Sequence, residues 1–301
     1  MPSTPENQLG TERMALELAS QPGAWSRAAG MLAEQRRLPA AGARIAVVGC
    51  GTSWFVAQSY AWLREAGGQG RTDAFAASEA FIDRDYDAIV AITRSGTTTE
   101  VLELLDANKR GIPTIGIVGD GASPLVDVVD EVIALPFADE ESVVQTRFAT
   151  TTLALLRASL GADLSAAIAD AADAIEAEVD PALVDAEQFA FLGRGWTVGL
   201  AHEAALKMRE AAQSWTESYP AMEYRHGPIA IAAPGRVTWM LGEAPAGLRA
   251  EVETTGARFV ESPRDAMAEL VVIQKLALLR ARAGGLDADE PRNLTRSVIL
   301  G

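Results

Sequence analysis

Two short stretches place glycine beside hydroxyl side chains in a spacing that suits anion binding. They are Gly49-Cys50-Gly51-Thr52-Ser53 and Thr93-Arg94-Ser95-Gly96-Thr97-Thr98. Each follows an apolar run, Ile45-Ala46-Val47-Val48 or Ala88-Ile89-Val90-Ala91-Ile92, and precedes an amphipathic stretch. That order reads as strand, turn, helix. A helix start carries unpaired N–H groups and the positive end of the helix dipole, which favour an anion. Gly51 and Gly96 let the backbone approach closely. Thr52, Ser53, Thr93, Ser95 and Thr98 supply hydroxyls for phosphate oxygens, and Arg94 can add a charge-assisted bond. The same residue types also cap helices with no ligand present. Two such turns on two strands of one sheet favour phosphate. A dinucleotide is disfavoured, because Trp54 stands where the third glycine is needed and no P-loop lysine follows.

A second constellation lies on a predicted helix from Gly199 to Ser214. Glu203, Lys207 and Glu210 recur at i, i+4 and i+7, hence on one face. A carboxylate held by a neighbouring lysine can move a proton between adjacent carbons of an enediol(ate). The same pattern also describes a solvated face with an ordinary ion pair. Ala204-Ala205-Leu206 and the nearby Arg225-His226-Gly227-Pro228 turn favour the catalytic reading. His226 sits where a turn can project a side chain into a cleft, and histidines titrate near neutrality, as sugar ring opening requires. His202 has no motif around it and reads as helix surface or core. Cys50 reads as a small buried hydrophobe. The six tryptophans are scattered over both halves and read as core and subunit interface.

These residues need a scaffold, and the chain supplies one. After a helical segment over 1–40, strands and helices alternate, with further strands at Thr114–Val118 and Glu131–Leu135. Helices are predicted near Val143–Leu160 and Leu164–Val179, and Pro181 marks a lobe boundary. The pattern then restarts: Phe189-Ala190-Phe191-Leu192-Gly193-Arg194-Gly195 echoes the run into Gly49 and Gly51. Alternation at this spacing implies βαβ units and parallel sheets covered on both faces. The expected fold is α/β: two tandem lobes, 41–180 and 181–285, each a three-layer flavodoxin-like sheet, with a tail over 286–301 closing the site.

Composition narrows the partners. At 301 residues the chain suits two lobes, and 49% apolar with 22% charged residues is ordinary for a globular protein. A net charge of −15 argues against a nucleic-acid surface and disfavours anionic membranes. No apolar run reaches the ~18 residues of a membrane span. The polar start, Met1 to Gln8, lacks the regions of a signal peptide, so a cytoplasmic location is expected. One cysteine excludes an intrachain disulfide and a cysteine-cluster metal site. No metal or cofactor is implied.

Taken together, these stretches resemble the SIS (sugar isomerase) family in its double-domain form. Further matches are Glu141-Ser142-Val143-Val144-Gln145-Thr146-Arg147, Glu203 to Glu210, Tyr224 to Pro228, and Pro291-Arg292-Asn293-Leu294-Thr295-Arg296-Ser297. This form includes the isomerase half of glucosamine-6-phosphate synthase, ketose-aldose isomerases and fructosamine deglycases. The resemblance implies a hexose or hexosamine 6-phosphate as ligand, Ser53, Thr93, Arg94, Ser95 and Thr98 on its phosphate, and Val143, Gln145 and Glu203 along the sugar. It implies Glu210 as proton shuttle and His226 as ring opener, reaching in from a partner subunit of a homodimer. Arg296 stands where the synthase has an imine-forming lysine, and arginine is a very poor imine former. The glutaminase half is absent from this chain, which disfavours glutamine-dependent amino transfer. Isomerisation is therefore expected, with ammonia loss from an amino sugar as an extension. Fructosamine-phosphate cleavage, a transaminase-like role and a non-catalytic phosphosugar sensor are the alternatives.

Overall fold

The computed structural model describes residues 12–300; the polar start over 1–11 and residue 301 lie outside the described residues. Helices α1 (Arg13–Ala19), α2 (Gln21–Ala29) and α3 (Leu32–Gln35) come first. A five-stranded sheet follows: β1 (Ile45–Gly49), β2 (Thr72–Ala76), β3 (Ala88–Thr93), β4 (Thr114–Val118) and β5 (Glu131–Ala134). Its order is β2-β1-β3-β4-β5 and every pairing is parallel. Helices α4 (Thr52–Ala66), α5 (Thr99–Asp106) and α6 (Arg147–Ser159) belong to this part, with α4 packed on α6.

Beyond α7 (Ser165–Glu176) and α8 (Pro181–Val184) comes a four-stranded sheet. It comprises β6 (Gln188–Gly193), β7 (Thr216–Pro220), β8 (Arg236–Leu241) and β9 (Arg258–Val260), in the parallel order β7-β6-β8-β9. Helices α9 (Thr197–Ala212), α10 (Leu248–Glu253) and α11 (Ala266–Ala283) complete it, and α11 packs against both α9 and α7. The fold is α/β, with parallel sheets flanked by helices, and the first sheet has the flavodoxin strand order.

The chain divides into two compact units built from interleaved pieces. One holds 23–140, 147–164 and 295–300 around the first sheet; the other holds 12–22, 141–146 and 165–294 around the second. Apolar residues on one face of the first sheet, among them Ala46, Val48, Ile89, Ala91 and Val118, pack on Val101 and Leu105 of α5. In the other unit Ala190, Leu192 and Met240 pack with Leu248 and Val252 of α10.

Several element boundaries have local causes. Helix α6 starts at Arg147 rather than near Val143. The buried Glu140 carboxylate accepts the Arg147 and Phe148 N–H groups at 2.7 and 3.1 Å and so caps that start. In the other unit, Glu17 accepts the Glu141 and Ser142 N–H groups at 2.6 and 3.2 Å and holds that segment out of a helix. Strands β2, β7 and β9 lie at sheet edges, and sequence periodicity did not predict them. Thr216-Glu217-Ser218-Tyr219-Pro220 is half exposed and carries no apolar run.

Candidate functional site

Strands β1 and β3 pair side by side at the place where the strand order reverses direction. Their carboxyl ends carry the two glycine-hydroxyl turns, in the crevice where open parallel sheets take ligands. In the first turn, a Cβ at Gly49 would sit 2.7 Å from the Ser53 Cβ, so strand end and helix start touch. Gly51 caps α4 at φ 53°, ψ −122°, a conformation that only glycine adopts readily. Thr52 and Ser53 are buried in the first turn of α4.

In the second turn, Thr93, Arg94 and Ser95 are buried. The Gly96 N–H donates to Thr93 Oγ1 and the Thr97 N–H donates to Ser95 Oγ, both at 3.3 Å. Gly96 holds φ +64°, and a Cβ there would fall 1.9 Å from Ser123 Oγ. No other residue type fits. Thr98 caps α5.

The C-terminal segment runs over this second turn. Ser95 Oγ and Thr97 Oγ1 donate to Ser297 Oγ at 3.1 and 2.9 Å, and Thr98 Oγ1 lies 3.5 Å from it. The Thr99 N–H, at the start of α5, donates to the Val298 carbonyl at 3.2 Å. The Arg94 guanidinium donates to the Arg296 carbonyl at 2.9 Å. Arg296 in turn donates to both Asp139 carboxylate oxygens, at 2.6 and 2.8 Å. The sequence reading assigned no part to Thr97, Asp139 or Ser297. Hydroxyl density around Gly96 was the available signal for Thr97, whereas the Arg296–Asp139 pairing spans 157 positions and left none.

In the other unit, Glu203, Lys207 and Glu210 share one face of α9, as their spacing requires. The Lys207 ammonium is buried, 3.5 Å from Glu203 and paired more closely with Glu210. The Lys207 and Glu203 side chains are 1% and 2% exposed, against 20% for Glu210. Glu210 is thus the more open of the two carboxylates. It lines a cleft of about 420 Å³ with Leu206, Arg209, Gln213, Arg292 and Leu294. In the same unit the Val143 N–H donates to the Asp289 carbonyl at 2.9 Å, and Gln145 keeps a buried side-chain oxygen with no hydrogen-bond partner among the described residues.

The two histidines differ. Burial, with the Arg209 charge adding to it, pushes the His202 imidazole below its ordinary value, and its Nδ1 lies 2.9 Å from Ser218 Oγ. His226 is exposed, in the 3₁₀ turn Glu223–His226 that follows β7. Because α9 runs back from the carboxyl end of β6 toward the start of β7, Glu210 falls at the amino edge of the second sheet. His226 follows the end of β7 and falls at the carboxyl edge. The structure does not bring these two residues of one chain together. Cys50 is half-buried against the first-sheet core, and burial, then the Glu100 charge, pushes its thiol up.

Residues 40–162, which contain both turns, match the family model for the SIS domain. This stretch is a SIS domain. Among solved structures, glucosamine-6-phosphate deaminase from Thermotoga maritima is similar over 96% of this chain and 100% of that one, with a TM-score of 0.82 and 26% identity. Tagatose-6-phosphate ketose/aldose isomerase from Escherichia coli shares the fold over 99% of both chains, with a TM-score of 0.80 and 17% identity. The isomerizing glutamine–fructose-6-phosphate aminotransferase of Gloeobacter violaceus is 29% identical across 85% of this chain. The chain spans about half, 52%, of that relative's length. The SIS domain match ends at residue 162, and the structural likeness extends across the second sheet as well. No helix among the described residues is long and apolar enough to cross a membrane.

Proposed function

We propose that this chain is an aldose-ketose isomerase of a hexose or hexosamine 6-phosphate. Glu210 carries that reading. It is a carboxylate fixed by a buried ammonium on one side and open to a cleft on the other. In the open-chain aldose, Glu210 takes the C2 proton, the C2–H electron pair forms the C1–C2 double bond, and the C1 carbonyl pair moves onto O1. The O2 proton passes to O1, and the same carboxyl returns its proton to C1 as the C2 carbonyl forms. One base suffices, because both carbons present their hydrogens to it in turn. Lys207 keeps Glu210 in place, and Glu203 balances the second side of the buried ammonium.

The phosphate is assigned to the Ser53 and Thr93–Thr98 turns, where hydroxyls and helix-start N–H groups converge. The placement of His226 at the opposite sheet edge from Glu210 supports a homodimer in which the partner subunit's His226 opens the ring. Arg296, already engaged by Asp139, favours chemistry without a lysine imine. For an amino sugar phosphate, the ketimine left after proton transfer is hydrolysed by water to ketose and ammonia. Val143 and Gln145 are assigned to the sugar, Gln145 through its unpaired oxygen.

The test is turnover of glucose 6-phosphate, fructose 6-phosphate and glucosamine 6-phosphate in D₂O. Wild-type protein should isomerise one of them and put solvent deuterium at C1 or C2. Glu210→Gln should slow this by about 10²- to 10⁴-fold, the span for a lost general base, while still binding the sugar phosphate. Normal turnover by Glu210→Gln would remove the proposed mechanism.

A further inference from the structure

Ser297 stands at the focus of the second turn. Its Oγ lies 3.1, 2.9 and 3.5 Å from the hydroxyl oxygens of Ser95, Thr97 and Thr98. The next residue, Val298, places its carbonyl 3.2 Å from the Thr99 N–H, the helix-start donor beside those hydroxyls. A phosphate oxygen that accepted from Ser95 and Thr97 would need the space Ser297 Oγ fills, since both must sit about 3 Å from the same donors. A second anionic oxygen would likewise meet the Val298 carbonyl at Thr99. The tail thus imitates two oxygens of the anion.

We infer that Ser297 and the Val298 carbonyl are an internal occupant of the phosphate cradle, which a phosphate monoester must displace. This rests on the reading of that turn as the phosphate site. Little apolar burial holds the segment down, because Val298, Ile299 and Leu300 are 52%, 70% and 60% exposed. What retains it is polar: Ser297 and Val298 in the cradle, the Leu300 N–H on Thr99 Oγ1 at 2.9 Å, and the Arg94–Arg296–Asp139 clasp. A phosphate dianion offers the cradle donors stronger, charge-assisted bonds than a neutral hydroxyl does, so ligand displaces tail. The apparent affinity is lowered by the fraction of time the tail is docked. Ligand arrival and tail release become one event, so an empty cradle keeps its donors satisfied and a filled one frees residues 296–300.

The experiment is calorimetric titration of the full chain with inorganic phosphate and with glucose 6-phosphate, comparing wild type, Ser297→Ala, Ser297→Asp and Ser95→Ala. Ser297→Ala should bind both ligands about 3- to 10-fold more tightly, the worth of a net hydrogen bond or more returned to the ligand. Ser297→Asp, which tethers a carboxylate at the cradle, should weaken both about tenfold. Ser95→Ala should weaken both. If Ser95→Ala weakens binding but Ser297→Ala leaves it unchanged or weakens it too, the tail is a bystander or a ligand group, and the displacement inference is overturned while the cradle stands. If Ser95→Ala binds as tightly as wild type, the cradle assignment fails and the inference with it.

Discussion

The turn after β1 and the turn after β6 share a backbone plan and differ in what it presents. Gly49-x-Gly51 and Gly193-x-Gly195 both bring a strand end against the next helix start. A Cβ at Gly49 would meet Ser53 at 2.7 Å, and one at Gly193 would meet the Thr197 carbonyl at 2.2 Å. In the second turn, however, the hydroxyl is spent on structure. Thr197 Oγ1 accepts the Arg194 N–H and donates to the Leu241 carbonyl, both at 2.8 Å. Trp196 caps the helix where the first turn has Gly51. The neighbouring strand ends differ in the same sense. After β3 come Arg94 to Thr98, rich in hydroxyls, whereas after β8 come Gly242-Glu243-Ala244-Pro245. These line a cleft of about 780 Å³ whose Arg249 is paired with Glu261 at 2.8 Å and Glu253 at 3.2 Å. Size does not make an anion site. Donors that a ligand can engage do, and among the described residues the strand ends of the first sheet carry more hydroxyls than those of the second.

The shared part of the plan is tested by Gly49→Ala and Gly193→Ala. Both should cost about 3 kcal/mol in urea unfolding, the upper end of overpacking penalties, because neither clash falls on a flexible side-chain tip. If Gly193→Ala proves harmless, the common frame is illusory. The differing part is tested by Ser95→Ala with Thr98→Val, which should weaken inorganic phosphate about tenfold or more in titration calorimetry. Thr197→Val should leave phosphate affinity untouched. It should still lower unfolding stability by about 1–2 kcal/mol, because the Arg194 N–H loses a partner. Any loss of phosphate binding in Thr197→Val would erase the distinction.

A smaller effect concerns His202, on the helix that follows β6. Burial lowers its folded-state value, so the unfolded chain takes up the proton first as pH falls through the ordinary histidine range. Stability should therefore be intact above the usual histidine value and decline as the solution is acidified through it. In His202→Asn that part of the decline should be missing, measured as the difference between the two urea midpoints at pH 7.5 and 5.5.

Much of this contrast was legible before any coordinates. Strands β1, β3, β4 and β6, buried at every residue, read as apolar runs, and the glycines after β1 and β6 flagged both turns. Of the four edge strands only β5 was read, and β7 shows why the others escaped: it offers Thr, Glu, Ser, Tyr and Pro in place of an apolar period. The i, i+4, i+7 spacing put Glu203, Lys207 and Glu210 on one face, yet which carboxylate stays open depends on packing around Lys207 and had no sequence signal. The role of Asp139 was hidden for another reason. It acts only through Arg296, and pairing at that separation leaves no local pattern.

The interleaving of pieces has a consequence for how the molecule comes into being. Residues 295–300 complete the unit that begins at residue 23, and residues 12–22 belong to the unit that is built chiefly from 165–294. During synthesis residues 12–22 must wait for partners encoded more than a hundred codons later, and the first-sheet unit gains residues 295–300 only after the second sheet has been made. Folding of either unit is therefore governed by distant pairings, which slows it and raises its contact order. A contiguous fragment cut at any single point would leave at least one of the units short of a piece.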